Sequence, residues 1–119
     1  NMTILQANIA AATHKNQLSK SDRQRLERYA HQTAPGYCAG CAHICESVVK
    51  PKIPISDILR YSMYCQSYGD RETAVHLFKA LPTEVKENML KADYSIAEKH
   101  CPQNILIGRV LKNTHEDLS

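Results

Sequence analysis

Four of the five cysteines constrain this 119-residue chain more than any other feature. Cys38, Cys41 and Cys45 follow the spacing Cys-x2-Cys-x3-Cys, and Cys101 stands directly before Pro102. A segment opened by Pro35 and Gly36 can turn three thiols onto one centre and leave backbone N–H groups to donate to sulfur. If Cys101 completes that centre, the 55 intervening residues must fold so that their two ends meet. The fold is thereby required to close on itself.

Apolar spacing predicts helices as the means of closure. There is no period-2 alternation, and only four glycines interrupt the pattern. A first helix carries Met2, Leu5, Ile9 and Ala12 on one face and is broken by polar residues from Thr13 to Gln17. A second starts at Leu18-Ser19, with Ser19 or Ser21 as cap, Ser21 to Gln24 as a reciprocal capping pair, and Leu26, Tyr29 and Ala30 as its face. Ala34-Pro35-Gly36-Tyr37 ends it and opens a loop from Cys38 to Cys45. Pro51 and Pro54 bar helix there, so Ile53 and Ile55 are read as extended. Ser56-Asp57 then caps a helix to about Tyr68, closed by Gly69. Asp70 to Leu81 forms the next, and Pro82-Thr83 starts another with Val85, Met89 and Leu90. Ser95 and Glu98 form a second capping box before Cys101. Ile105, Ile107, Val110 and Leu111 make the last apolar face, ahead of a polar tail. The expectation is an all-α small helical domain, one unit over residues 1–119, with a Cys-rich metal-cluster loop at 35–55 joined to Cys101-Pro102.

Charge excludes more than it assigns. The net charge is +3, with 15 Lys+Arg against 12 Asp+Glu. That is too mild to point to nucleic acid, and the run Lys20 to Arg28, interleaved with Asp22 and Glu27, reads as a solvated helix face. The excess lies in residues 1–50, which hold most of the cysteines and where metal-bound thiolates would offset part of it. No apolar run approaches the roughly 20 residues that span a bilayer. No secretory leader is evident either, so the expected compartment is the cytoplasm, with export of a longer parent left open. A chain opening on Asn1 is expected to be a segment of such a parent. Among Gly36, Gly40, Gly69 and Gly108 there is no dinucleotide fingerprint, phosphate loop or nucleophile elbow, so no catalytic residue is expected.

The cysteine spacing has several chemical readings. Bacterial ferredoxin-type [4Fe–4S] sites finish with a distant Cys followed by Pro, which turns the chain away. In a ferredoxin-type run ending at Cys101, further thiols would stand at Ala97, Tyr94 and Lys91, so a second cluster is excluded. Cys101 is then free to join Cys38, Cys41 and Cys45. Zinc held by four thiolates, or by three with His43 or His100, is the alternative, although zinc modules more often pair two Cys-x2-Cys knuckles. An odd count argues against a disulfide framework. A redox dithiol at Cys38 and Cys41 lacks its strand-to-helix context, and Ala42 stands where covalent haem needs His. Cys65, beside Tyr61 on a helical face, reads as an apolar packing thiol.

The segments Gly36 to Cys45, Ile53 to Arg60, Tyr68-Gly69-Asp70 and Cys101-Pro102-Gln103 together resemble the C-terminal region of iron–sulfur-containing bacterial aldo/keto reductases. Asn1 to Asn8 looks like the last helical stretch, or the exit, of the preceding barrel. The resemblance implies an N-terminal (β/α)8 barrel in cis that reduces carbonyl compounds with a nicotinamide cofactor, and a helical domain with ferredoxin-like cysteines. It implies Cys38, Cys41, Cys45 and Cys101 as ligands, backbone amides from Ala39 to His43 as donors to sulfur, and either electron transfer to a redox partner or a structural staple. Lys91, Tyr94 and Ala97 depart from relatives with a fuller second cysteine run. A zinc-stabilised interaction domain docking on the barrel needs only the same thiolates.

Overall fold

The computed structural model describes residues 1–13, 18–33 and 37–119. The break predicted at Thr13 to Gln17 lies mostly outside these residues, and the turn at Ala34-Pro35-Gly36 lies wholly outside them. Among the described residues the chain is all-α, with eight helices and no strand. Its contacts divide it into two units, Asn1–Gln32 and Thr33–Ser119.

The first unit holds α1 (Met2–Thr13) and all but the last residue of α2 (Lys20–Thr33). Met2, Leu5, Ile9 and Leu26, placed on apolar faces by their spacing, are all more than half exposed. Spacing alone predicted the helices but not a partner for their faces. The α2 cap is Ser19 rather than Ser21. Ser19 N–H donates to Asp22 Oδ2 at 3.1 Å, and Asp22 N–H donates to Ser19 Oγ at 3.2 Å. This is the reciprocal box shifted by two residues, with Asp in the Glu position.

In the second unit, a short turn α3 (Ala42–Cys45) runs into a 3-10 turn (Glu46–Val48). Then come α4 (Ile55–Gln66), α5 (Arg71–Lys79), α6 (Thr83–Lys91), α7 (Ser95–His100) and α8 (Ile107–Leu118). Helix α8 is the spine. Its buried residues Ile107, Leu111, Thr114 and Leu118 recur every three or four positions, and α4, α5 and α6 pack on it. From α4 come Ile55, Ile58 and Leu59, from α5 Ala74 and Phe78, and from α6 Met89. The Thr114 hydroxyl is satisfied by donating to Val110 O at 2.7 Å, so the polar member of the stripe carries no unpaired group.

Several local expectations are corrected by tertiary bonds. Ile55 is the first residue of α4 and fully buried, not extended, because Pro54 serves as N-cap without using its own N–H. Ser56 does not cap that helix. Its N–H and hydroxyl both donate to Glu46 Oε1, at 2.9 and 3.0 Å. Ser95 is not a cap either, since Tyr94 occupies the N-cap and Asp93 accepts the Ser95 N–H at 2.9 Å. Glu98 reaches instead to Gly108 N–H at the start of α8, also at 2.9 Å. Asp70 is the N-cap of α5 rather than part of it, accepting from Thr73 N–H at 3.1 Å. The tail read as polar is helical to Leu118. Arg71 holds that end by donating to Asp117 O at 2.8 Å, placing a cation at the negative pole of α8.

Candidate metal centre

Local chemistry shapes the cysteine segment. Gly40 has φ +76°, a left-handed conformation that costs an L side chain roughly 1–2 kcal/mol. This bend lets Gly40 N–H donate back to Cys38 Sγ at 3.4 Å and Ala42 N–H donate to Gly40 O at 2.9 Å. Only Gly40 among the amides of residues 39–43 donates to sulfur in the hydrogen bonds of the described residues; Ala42 N–H is taken by the turn itself. The segment read as loop through Cys45 becomes helical at Ala42, with Cys41 as its N-cap and Cys45 as its last residue. Tyr37 adds an anchor by donating its hydroxyl to Tyr68 Oη at 3.2 Å.

Cys101 comes from the opposite end of the unit. Pro102 disfavours the helical conformation for the residue before it, and Cys101 accordingly leaves α7 with ψ 116°. Asn104, at φ +51°, then donates its N–H to Cys101 O at 3.0 Å and turns the chain toward α8. The Glu98 to Gly108 bond fixes α7 against the start of α8, so the position of Cys101 is set from both sides.

Cys38, Cys41, Cys45 and Cys101 all line one cavity. Ile44, Leu59, Ile105 and Ile107 give it an apolar floor, and Ala39, Pro102 and Gln103 complete its walls. The cavity they enclose is small, about 20 Å³. That is room for about one water, so the cavity as it stands is smaller than a cubane. Four thiols and hydrocarbon are a donor set for a soft metal or an iron–sulfur cluster, and a poor one for Mg or Ca. Among the described residues, no three His, Cys, Asp or Glu side chains gather to hold a single metal ion.

Electrostatics bear on the same thiols. Burial pushes the Cys45 thiol up, and the neighbouring Glu46 carboxylate, Cys38 and Cys41 add to the rise. Coordination would therefore have to displace a proton from Cys45, which makes loading pH-dependent. All five cysteines are free thiols. Cys65 is half-buried on α4 and packs against the core without lining the cavity. His43 and His100 are exposed and do not line it either.

Two residues with a bearing on the site escape sequence reasoning. Glu46 holds the segment after Cys45 to the first turn of α4, and its only signal is adjacency to Cys45. Arg60 stands at the Gly40 bend, where a Cβ would lie 3.9 Å from its Nη2. Nothing in the spacing announces that approach. The chain matches no family model, no curated protein and no solved structure.

Proposed function

We propose that Cys38, Cys41, Cys45 and Cys101 ligate one [4Fe–4S] cluster, in a helical domain that follows the barrel of an aldo/keto-reductase-like oxidoreductase. The observation that carries this reading is that thiols 56 residues apart, Cys45 and Cys101, line the same apolar-floored cavity as Cys38 and Cys41. The resemblance of the segments around these cysteines supplies the proposed parent, and the cytoplasm is the compartment proposed for it. No helix among the described residues is long and apolar enough to cross a membrane.

When bound, such a cluster supplies one-electron chemistry whose potential depends on hydrogen bonds to sulfur and on burial. The residues of this chain provide those conditions. Gly40 N–H donates to Cys38 Sγ, while Leu59, Ile105 and Ile107 keep water from the inner side. Ligation of Cys45 and Cys101 by one centre would also staple together segments 56 residues apart in the chain. The barrel in cis and a one-electron partner are the proposed neighbours.

The test compares Cys101→Ser with Cys65→Ser after anaerobic purification. Cys65 lies outside the cavity, so Cys65→Ser is expected to keep its iron while Cys101→Ser loses most of it. Equal iron in the two variants would remove Cys101 from the ligand set. Stoichiometric zinc without sulfide would replace the electron-transfer reading with a structural one.

A further inference from the structure

We propose that in the metal-free protein Cys41 and Cys101 are a thiol–disulfide pair, closed by a small disulfide oxidant such as oxidised glutathione. The pairing concerns the thiols themselves and holds whether or not a cluster is ever bound. Cys38, Cys41, Cys45 and Cys101 surround a space of about 20 Å³, room for about one water. Around so small a space, rotation of side chains is enough to bring two sulfurs together. The elements that carry Cys41 and Cys101 also touch. Cys41 is the N-cap of α3, Cys101 is the C-cap of α7, and α3 packs against α7. The other sulfurs are engaged or hidden. Cys38 Sγ accepts Gly40 N–H at 3.4 Å, and Cys38 lies outside α3, so it lacks the helix start that suits a Cys-x2-Cys pair. Cys45 is 8% exposed and its thiol donates to Ala42 O at 3.7 Å. Cys65 does not line the cavity. Cys41 and Cys101 are both half-buried and open to a small oxidant, and among the described residues neither sulfur takes part in a hydrogen bond.

The exchange balances in two steps. One cysteine thiolate attacks a sulfur of oxidised glutathione, which leaves a mixed disulfide and releases one reduced glutathione. The second thiolate displaces the other glutathione and forms the Cys41–Cys101 bond. Two cysteine thiols are oxidised, one glutathione disulfide is reduced to two thiols, and the two cysteine protons pass to them. The bond ties positions 60 residues apart, so it removes loop-closure entropy from the unfolded chain. It also withdraws two of the four soft donors from the cavity until a reductant restores them.

The test incubates the reduced, metal-free chain with millimolar oxidised glutathione and chelator, then quenches in acid, alkylates and digests for mass spectrometry. A peptide joined to the one that holds Cys101 should be the main product, within single chains. Cys38, Cys41 and Cys45 lie on one tryptic peptide, so fragmentation of that product and serine variants assign the bond. Cys41→Ser and Cys101→Ser should each lower the linked peptide about tenfold, whereas Cys38→Ser and Cys45→Ser should keep it within about twofold. The oxidised native chain should melt about 10 °C or more above the reduced chain. Linked peptide that survives in Cys41→Ser, or fragments of the native product that place the bond at Cys38 or Cys45, overturns the pairing. Glutathione adducts alone, or disulfides only between chains, overturn it as well. The fragmentation assigns the native bond even where a variant fails to fold. Failure of the cluster reading is seen separately, in the iron and sulfide of the chain before oxidation.

Discussion

Replacing Glu46 with Ala should loosen the cysteine segment and destabilise the second unit together. The carboxylate accepts from Ser56 N–H at 2.9 Å and from the Ser56 hydroxyl at 3.0 Å. Ser56 is the second residue of α4, where an N–H has no partner within the helix, and the N-cap Pro54 offers no side-chain acceptor. Ser56 is only 8% exposed, so water does not readily replace the lost oxygen. Hydrogen bonds to a charged group are worth roughly 1.5–3 kcal/mol each, and Glu46 is half-buried, which favours the lower end. The two bonds together contribute about 3 kcal/mol. For a unit of this size that is a fall of roughly 12–24 °C in Tm. The assay is urea and thermal unfolding of metal-free, reduced protein followed by circular dichroism. A double-mutant cycle with Ser56→Ala isolates the hydroxyl bond and should show a coupling of about 1 kcal/mol, the backbone bond remaining in both backgrounds. A loss under about 1 kcal/mol for Glu46→Ala, or strict additivity with Ser56→Ala, would refute the argument that this carboxylate fastens the turn after Cys45 to α4.

Three further outcomes are expected from the geometry. Burial pushes the Tyr94 phenol up from 10.0 to about 12, so the folded chain favours its neutral form. That stabilisation is complete below pH 10 and fades as pH rises to 12, by at most about 2.7 kcal/mol. In Tyr94→Phe this decline should be absent from urea titrations at pH 9 and 11.5, and an unaltered decline would contradict the assignment. Gly108→Ala would set a Cβ 3.2 Å from Tyr94 Cδ2, and that ring is held by its hydroxyl donating to Met89 O at 2.8 Å. The crowding should outweigh the helix-propensity gain and leave the protein about 1 kcal/mol less stable in urea; a more stable variant would show that the ring can yield. Gly40→Ala meets no atom closer than 3.9 Å but must adopt φ +76°. It should cost roughly 1–2 kcal/mol in urea melts and lower iron retention, and a neutral effect on both would show that the bend relaxes freely.

The sequence carried the helices of the second unit well where spacing and breakers agreed. Gly69, with φ +70°, ends α4 near the predicted place, and Pro82 starts α6. The misread points have a common cause, namely polar side chains recruited by distant partners. Ser56 and Glu98 satisfy local capping patterns on paper, yet Glu46 takes the first and Gly108 N–H takes the second. Thr114 and Leu118 continue the α8 stripe, but polar neighbours from Lys112 to Asp117 disguise it as a tail. At the candidate site, the spacing of the cysteines was enough to nominate all four thiols. It could not convey that Leu59, Ile105 and Ile107 would floor the cavity, or that Arg60 would lie over Gly40. Those facts depend on how α4 and α8 meet. The exposed apolar faces of α1 and α2 show the converse: amphipathic spacing predicts a helix without naming what covers it.

Iron and acid-labile sulfide determined on protein purified without air, with a visible spectrum before and after dithionite, addresses the central claim most directly. The four-cysteine centre should yield about four irons and four sulfides per chain and a broad absorption that bleaches on reduction. Protein isolated the same way with neither iron nor sulfide, or with one zinc per chain and no sulfide, would contradict it.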